Sequence, residues 1–474
     1  MAKAASPEQK ILDFIKKNKI KFVDFKFMDF PGQWQHTSYP ASELSIESFK
    51  RGYGFDGSSL RGWKSIDESD MLIIPDPDTM FVDPFIKEPT ISLTCDVYEP
   101  TTKEKYSRCP RNIAQKAEAY LISTGIADTA YYGPEAEFFV FDDVRFDVKP
   151  NMSFYQVDSV EGHWNTGRDE QPNLGYKQAS KGGYFPVPPN DSLVDFRNDV
   201  ALKLIDAGIA VEALHHEVAS GGQCEIDLRY NSLLKSADEL LMFKYFVKNT
   251  AKQHNKTVTY MPKPIMDDNG SGMHLNVSLW KKNKNIFAGG GYAGLSDEAL
   301  FFIGGILKHA SSLLAFTNPT TNSYRRLVPG FEAPVRLAYS QSNRSASIRL
   351  PFSESTSAKR VEFRCPDPSA NGYLAYSALL MAGLDGILNR IDPGEPLDKD
   401  IYDMAPEELL NVPETPGSLQ EALRALSKDH EYLLKGDVFT EDVIKAWINI
   451  KIENEVKVVA SKPHPQEFSL YYNV

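Results

Sequence analysis

The sequence predicts an α+β chain of two units. Short runs in which apolar and polar residues alternate, the mark of strands, recur from KFVDFKFMD to VEFRCPD, with helical periodicity between them. In HHEVASGGQCEIDL the pair Gly221-Gly222 joins two strand-like segments and reads as a hairpin turn. The 474 residues suit two or three domains. Proline-rich text at PDPDTMFVDP, then Pro110-Arg111 at the head of a long helix, sets the boundary between units 1–108 and 109–474.

Apolar residues make up 42% and charged residues 24%, ordinary for globular material. A net charge of −12 excludes a general pull toward nucleic acid or an anionic membrane. Cys95, Cys109, Cys224 and Cys365 form no C-x-x-C pair, so neither a zinc site nor a disulfide framework is indicated. A reducing, cytoplasmic compartment is expected. The N-terminus lacks the apolar core of a signal peptide. No apolar run approaches the roughly eighteen residues that span a bilayer.

In the first unit an amphipathic helix starts at Ser6-Pro7, and KFVDFKFMD and TISLTCDVYEP are strands. The Gly/Ser-rich loop GYGFDGSSLRGW between them carries Asp56. In the second unit a helix runs to about Ser123 and TAYYGPEAEFFVFD is one strand. Residues 147–183 are polar and irregular and read as an insertion or flap. DSLVDFRNDVALKLIDAG is a helix capped by Asp191 or Ser192. Further helices are SADELLMFKYFVKNTAKQH, SDEALFFIGGILKHASSLLAF, residues 373–391 and two near the C-terminus, while SGMHLNVSLW is a strand. A GxGxxG match at Gly289, Gly291 and Gly294 has no acid about twenty residues on and reads as the turn before the helix at Ser296. The aromatic end FSLYYNV is expected to be covered, by its own domain or by another subunit.

The candidate chemistry lies on the strands. If Ser220, Gly221 and Gly222 form the hairpin loop, Ala219 pairs with Gln223 and Glu217 lies opposite Glu225. Like charges so placed repel unless a cation sits between them; solvated surface acids are the ordinary alternative. Glu135 and Glu137 share a strand face about 6.6 Å apart, a spacing suited to two neighbouring ions, while Phe138 and Val140 face a core. His274, Asn276 and Ser278 share one face and Met273, Leu275, Val277 and Leu279 the other. Arg360, Glu362 and Arg364 alternate in the same way with Val361, Phe363 and Cys365.

For each strand singly a solvated face is the usual reading. Five glutamates and a histidine beside Arg326, Arg344, Arg349, Arg360 and Arg364 favour a site. Carboxylates with one imidazole suit magnesium or manganese; zinc asks for more nitrogen or sulfur. Arginines grip phosphate or carboxylate, and both together are the apparatus of phosphoryl transfer. No G-x-x-x-x-G-K-[ST] motif occurs.

FDGSS, GPEAEFF, HHEVASGGQCE, NGSGMH, RRLVPGFEAPV, NRSASIR and VEFRCPDPSAN occur in that order. With this ordered set the chain closely resembles the bacterial type I glutamine synthetases over essentially its whole length. The resemblance implies a small β-grasp domain and a catalytic domain built on a funnel of antiparallel strands. It implies a homo-dodecamer of two stacked hexamers with active sites between subunits. The implied reaction is ATP-dependent ligation of ammonia to the side-chain carboxylate of L-glutamate through an acyl phosphate, giving glutamine, ADP and phosphate. Two or more Mg2+ or Mn2+ ions per subunit are implied, one held by Glu137, Glu217 and Glu225 and the other by Glu135, His274 and Glu362.

By the same resemblance, Asn269, Gly270, Arg326 and Arg364 match the glutamate grip, with Glu137 beside it. Arg344, Arg349 and Arg360 match nucleotide-phosphate and transition-state contacts, and Glu212, Tyr230, Asn276 and Ser278 line the nucleotide pocket. Asp56, reaching in from the adjacent subunit, matches the acid that takes a proton from ammonium. Glu332 matches the flap acid that closes over the acyl phosphate and excludes water. Tyr402 matches a tyrosine that some members adenylylate, and the aromatic end resembles the tail that joins the rings. The chain departs from the family at Asn276, where many members have histidine, at Ser357, often lysine, and at Gly372, often proline. Ligation of glutamate to another amine and a non-catalytic nitrogen-sensing relative are the alternatives, and regulatory proteins are further candidate partners.

Overall fold

The computed structural model describes residues 5–64, 69–169, 172–341, 343, 345–399, 404, 406–409 and 412–474. Helix α1 (Pro7–Asn18) begins as expected: Ser6 Oγ accepts from Gln9 N at 3.3 Å, and Pro7 fills the first turn. There follow β1 (Phe22–Met28), β2 (Trp34–Pro40), α2 (Ser48–Arg51), β3 (Tyr53–Asp56), β4 (Asp70–Pro75), β5 (Phe81–Val82) and β6 (Thr90–Tyr98). They form one mixed sheet in the order β2-β1-β6-β4-β3, with β5 on β6. The two strands read from the sequence, β1 and β6, are its parallel central pair. Both alternate in sequence yet are buried on both faces, because the polar face carrying Asp24, Lys26 and Ser92 is hydrogen-bonded inside the protein.

The second unit opens with α3 (Pro110–Thr124), β7 (Thr129–Ala136), β8 (Phe138–Phe141), β9 (Asp143–Lys149) and β10 (Met152–Asp158). Next come α4 (Val194–Asp206), β11 (Val211–His216), β12 (Gln223–Leu228), β13 (Asn231–Ser232), α5 (Leu233–Gln253) and β14 (Thr257–Thr259). After them lie β15 (Met273–Lys281), β16 (Lys284–Asn285), α6 (Asp297–Thr317), α7 (Ser323–Arg326), β17 (Arg336–Ser340), β18 (Ala346–Arg349) and β19 (Val361–Phe363). The chain ends through α8 (Gly372–Asn389), α9 (Pro406–Leu409), α10 (Leu419–Lys428), α11 (Glu441–Lys451), α12 (Lys457–Ala460) and α13 (Pro465–Tyr471). A seven-stranded sheet runs β13-β7-β15-β19-β18-β17, with β16 on β15, and a four-stranded sheet runs β11-β12-β8-β14. All their pairings are antiparallel except β17 with β18.

Three expectations need correction. The single strand 129–142 breaks at Glu137, where the chain passes from one sheet to the other. The 147–183 segment begins inside a regular hairpin, β9–β10. Leu193 is the N-cap of α4; Asp191 instead accepts from Leu193 N at 3.1 Å and pairs with Arg197, and Ser192 donates to Glu161 at 2.7 Å. Helix α6 is long and apolar enough to cross a membrane by composition, but 72% of its apolar window is buried in the protein. Lys308 and His309 interrupt the run, and the helix packs on α8 and α10 as a core element. Of the two covers expected for the C-terminal aromatics, their own chain is excluded: Phe468, Tyr471 and Tyr472 are exposed. The GxGxxG stretch is the expected turn, and Ser296 caps α6 by accepting from Ala299 N at 3.2 Å.

Arg111, buried on α3, ties the units together. It donates to Asp76 at 2.7 Å and Asp96 at 2.6 Å in the first unit, and to Asp238 on α5 at 2.9 Å. Removing it strands buried carboxylates. Arg111→Ala is expected to cost roughly 3 kcal/mol, measured as a lower denaturant midpoint; an unchanged midpoint contradicts this.

Candidate active site

Strands β11 and β12 pair with His215 opposite Glu225, and Glu217 N donates to Gln223 O at 2.8 Å. The turn therefore holds five residues, 218–222, rather than three. Gly222 has φ +83°, and a Cβ there would meet Val140 O at 2.5 Å. The shift of two residues preserves the face, so Glu217 and Glu225 become diagonal neighbours instead of direct opposites. His215 stands between them, 3.4 Å from Glu217 Oε1 and 3.4 Å from Glu225 Oε1. Sequence reasoning missed it; its signal was the two-residue spacing to Glu217.

A second row crosses the seven-stranded sheet. Glu135 lies opposite His274, Asn276 opposite Glu362, and Glu362 opposite Arg349. His274 Nδ1 is 3.1 Å from Glu135 Oε2 and 3.9 Å from Glu362 Oε1. One donor atom from each of Glu135, His274 and Glu362 falls within a 4.8 Å set, as does one from each of His215, Glu217 and Glu225. Glu137 stands beside these sets at the break between sheets. Its Oε2 accepts from Gly272 N at 3.0 Å and from Gln223 Nε2 at 2.8 Å.

These acids crowd one another. Burial pushes Glu137 up to about 8, with Glu217 adding to it and Arg326 opposing. Burial, then Glu137 and Asp227, lift Glu225 well above the carboxylate range. Burial also raises Glu217 and Asp227. Burial would raise Glu135 too, but the His274 and Asn276 hydrogen bonds and the charge of Arg364 outweigh it and hold this acid low. Burial and Arg364 push His274 down, toward the neutral imidazole that a metal ligand requires.

A cavity of about 360 Å³ opens beside Glu135, a size ordinary for a small-molecule site. Its wall includes the expected Glu212, Tyr230, Asn276, Ser278 and Arg360. It also includes Asp227, Ser357 and Lys359, of which Asp227 and Lys359 were not foreseen. Asn276 bridges the two ends of this wall: Nδ2 donates to Glu135 at 2.8 Å, and Oδ1 accepts from Arg360 Nε at 2.8 Å. Arg349 lies outside the cavity wall and pairs with Glu362 at 2.8 Å, as does Arg364 at 2.6 Å.

Arg326 is buried and donates to Cys365 O at 2.7 Å. The Arg364 Nε donor and the Asn269 Oδ1 acceptor are buried without hydrogen-bond partners among the described residues. At Gly270 a Cβ would meet Pro262 O at 2.3 Å. Glu332 is exposed, with φ +57°, and its charge reaches Glu217. Asp56 ends β3 at the rim of the first sheet, where Oδ1 accepts from Ser58 N at 2.9 Å; among the described residues nothing joins it to the carboxylates. Arg344 and Tyr402 lie outside the described residues.

The glutamine synthetase catalytic-domain model matches residues 107–471 and the glutamine synthetase beta-Grasp model residues 19–100. The chain belongs to the glutamine synthetase family. Microchaete diplosiphon glutamine synthetase is 58% identical over 466 residues, covering 98% of this chain and 99% of that one. The Aquifex aeolicus enzyme is 56% identical over 470 residues, covering 99% of each. The cryo-EM structure of Plasmodium falciparum glutamine synthetase has a TM-score of 0.91 at 32% identity and covers 99% of each chain. Family membership makes the chain a ligase that forms glutamine with ATP, in a family that uses divalent metal.

A pH dependence follows from the crowding. The folded Glu137 carboxyl is raised from about 4.5 to about 8, so the folded state holds a proton that the unfolded chain releases. Metal-free protein should lose stability as pH rises from about 5 through 8. A divalent ion must displace that proton, so its affinity should rise over the same window. Thermal melts and Mn2+ titrations at pH 6.5 and 8.5 check both signs; an affinity that falls with pH contradicts them.

Proposed function

We propose that the chain ligates ammonia to the side-chain carboxylate of L-glutamate through an acyl phosphate made from ATP. The observation that carries this reading is the pair of carboxylate–imidazole sets, of which the first, Glu135 with His274 and Glu362, reaches a cavity of about 360 Å³ that Glu135 also lines. Mostly oxygen donors with one imidazole each fit Mg2+ or Mn2+. Glu135, His274 and Glu362 would hold one ion, and Glu217 and Glu225, with Glu137 adjoining, the other. Such ions supply charge neutralisation on the phosphates and on the transferring group.

The protein's own groups account for the remaining steps. The unpartnered Arg364 Nε would donate to a substrate carboxylate, with Arg326 adjoining, and the unpartnered Asn269 Oδ1 would accept from the α-ammonium. Gly270 lets backbone approach closely. Arg360 faces the cavity from the Asn276 end and, with Arg344 and Arg349, would steady the phosphates and the developing charge. Glu212, Tyr230, Asn276 and Ser278 would take the nucleoside. Asp56 of a neighbouring subunit would accept the proton of ammonium, and Glu332 would close the site against water. Ammonia then attacks the acyl carbon, the bond to phosphate oxygen breaks, and glutamine and phosphate leave.

Exposed apolar side chains on β9–β10, among them Phe146, Val148 and Phe154, and on the C-terminal helix support assembly through these surfaces into a dodecamer. Four buried free thiols support a cytoplasmic setting. Adenylylation of Tyr402 belongs to the same proposal.

Glutamate- and ammonium-dependent phosphate release from ATP is the test. Glu362→Ala and Glu137→Ala should each lower kcat/KM by more than about 100-fold with assembly intact, and full activity in either refutes the ligand assignment. Asp56→Ala should mainly raise the KM for ammonium; unchanged turnover at limiting ammonium counts against its role.

A further inference from the structure

The flap that carries Glu332 is gripped from two other loops. Lys181 Nζ donates to Gly330 O at 2.8 Å and lies 4.4 Å from the centroid of the Phe331 ring. Lys263 Nζ lies 3.9 Å from the same centroid. Both distances are within the reach of a cation over an aromatic face. The two lysines meet again at Asp268: Lys181 N donates to Asp268 Oδ1 at 3.2 Å, and Lys263 Nζ donates to Asp268 O. Asp268 is fully buried and also accepts from Ser220 N, Ser220 Oγ and Asn269 N. Glu332, next in the chain, makes no side-chain hydrogen bond or ion pair among the described residues, so its place within charge reach of Glu217 depends on its neighbours. It also holds a left-handed conformation, φ +57°, that a free loop would give up.

We propose that Phe331 is a positioning residue: Lys181 and Lys263 clasp its ring and so hold the Glu332 carboxylate over the reacting centre, excluding water. The inference rests on the acyl-phosphate reading above. If the clasp opens, water attacks the acyl carbon, the bond to phosphate oxygen breaks, and glutamate and inorganic phosphate leave with one proton on phosphate and one in solvent. ATP is then spent without glutamine.

The experiment measures phosphate released per glutamine formed, with the KM for ammonium, in the assembled enzyme. Wild type should give a ratio near one. Phe331→Leu and Lys181→Met should each raise the ratio at least two-fold and the KM for ammonium several-fold, while Mn2+ titration shows the cation sites intact. Phe331→Tyr and Lys181→Arg should restore wild-type values. Lys181 is exposed, so its variants remain informative if Phe331→Leu fails to fold. A wild-type ratio and KM in both Phe331→Leu and Lys181→Met overturn the clasp alone. A wild-type enzyme that makes no glutamine from ammonium overturns the acyl-phosphate reading, and the clasp with it.

Discussion

The crowding of acids between two sheets is the constraint on which the rest of the structure depends. Glu135, Glu225 and Glu362 lie on β7, β12 and β19, Glu217 just past the end of β11, and Glu137 at the break between β7 and β8. In a dry interior such proximity is expensive, and the protein offers only partial relief. Arg349 and Arg364 hold Glu362, Asn276 and His274 hold Glu135, and Gln223 and Gly272 hold Glu137. Protons on the raised Glu137 and Glu225 carboxyls supply the remainder. A surface meant only to be soluble would have spread these charges apart.

Holding the acids close requires a rigid frame behind them. His216 turns away from the site: its Nε2 lies 2.8 Å from Glu161, and its Nδ1 lies 2.7 Å from Gly183 O. Glu161 in turn accepts from Ser192 N at 2.6 Å. Asp268 ties the hairpin loop at Ser220 to Asn269. The irregular chain after β10 is therefore the backing of the hairpin that presents Glu217 and Glu225. An irregular backbone can supply such polar side chains at any angle, which a strand could not.

Much of this was legible in the sequence. Strict alternation along β15 follows from one buried and one site-lining face, and burial there alternates residue by residue. The break at Glu137 was hidden because residues 138–141 are all apolar and all buried, so periodicity does not register a change of sheet. The hairpin register was missed by two residues, an error that keeps every side chain on its face and so leaves no trace in the pattern. His215 and Asp227 follow the same two-residue spacing as Glu217 and Glu225, but alternation gives a shared face and not which of its polar residues converge. The β9–β10 hairpin looked irregular because its apolar residues face outward; their alternation has no core within the chain to answer to.

The central claim is that these acids are packed to hold cations. Anomalous diffraction from crystals grown with manganese tests it most directly. The account predicts two ordered peaks per chain, one among Glu135, His274 and Glu362 and one between Glu217 and Glu225. Manganese absent from both places, or found only on the outer surface, would contradict it.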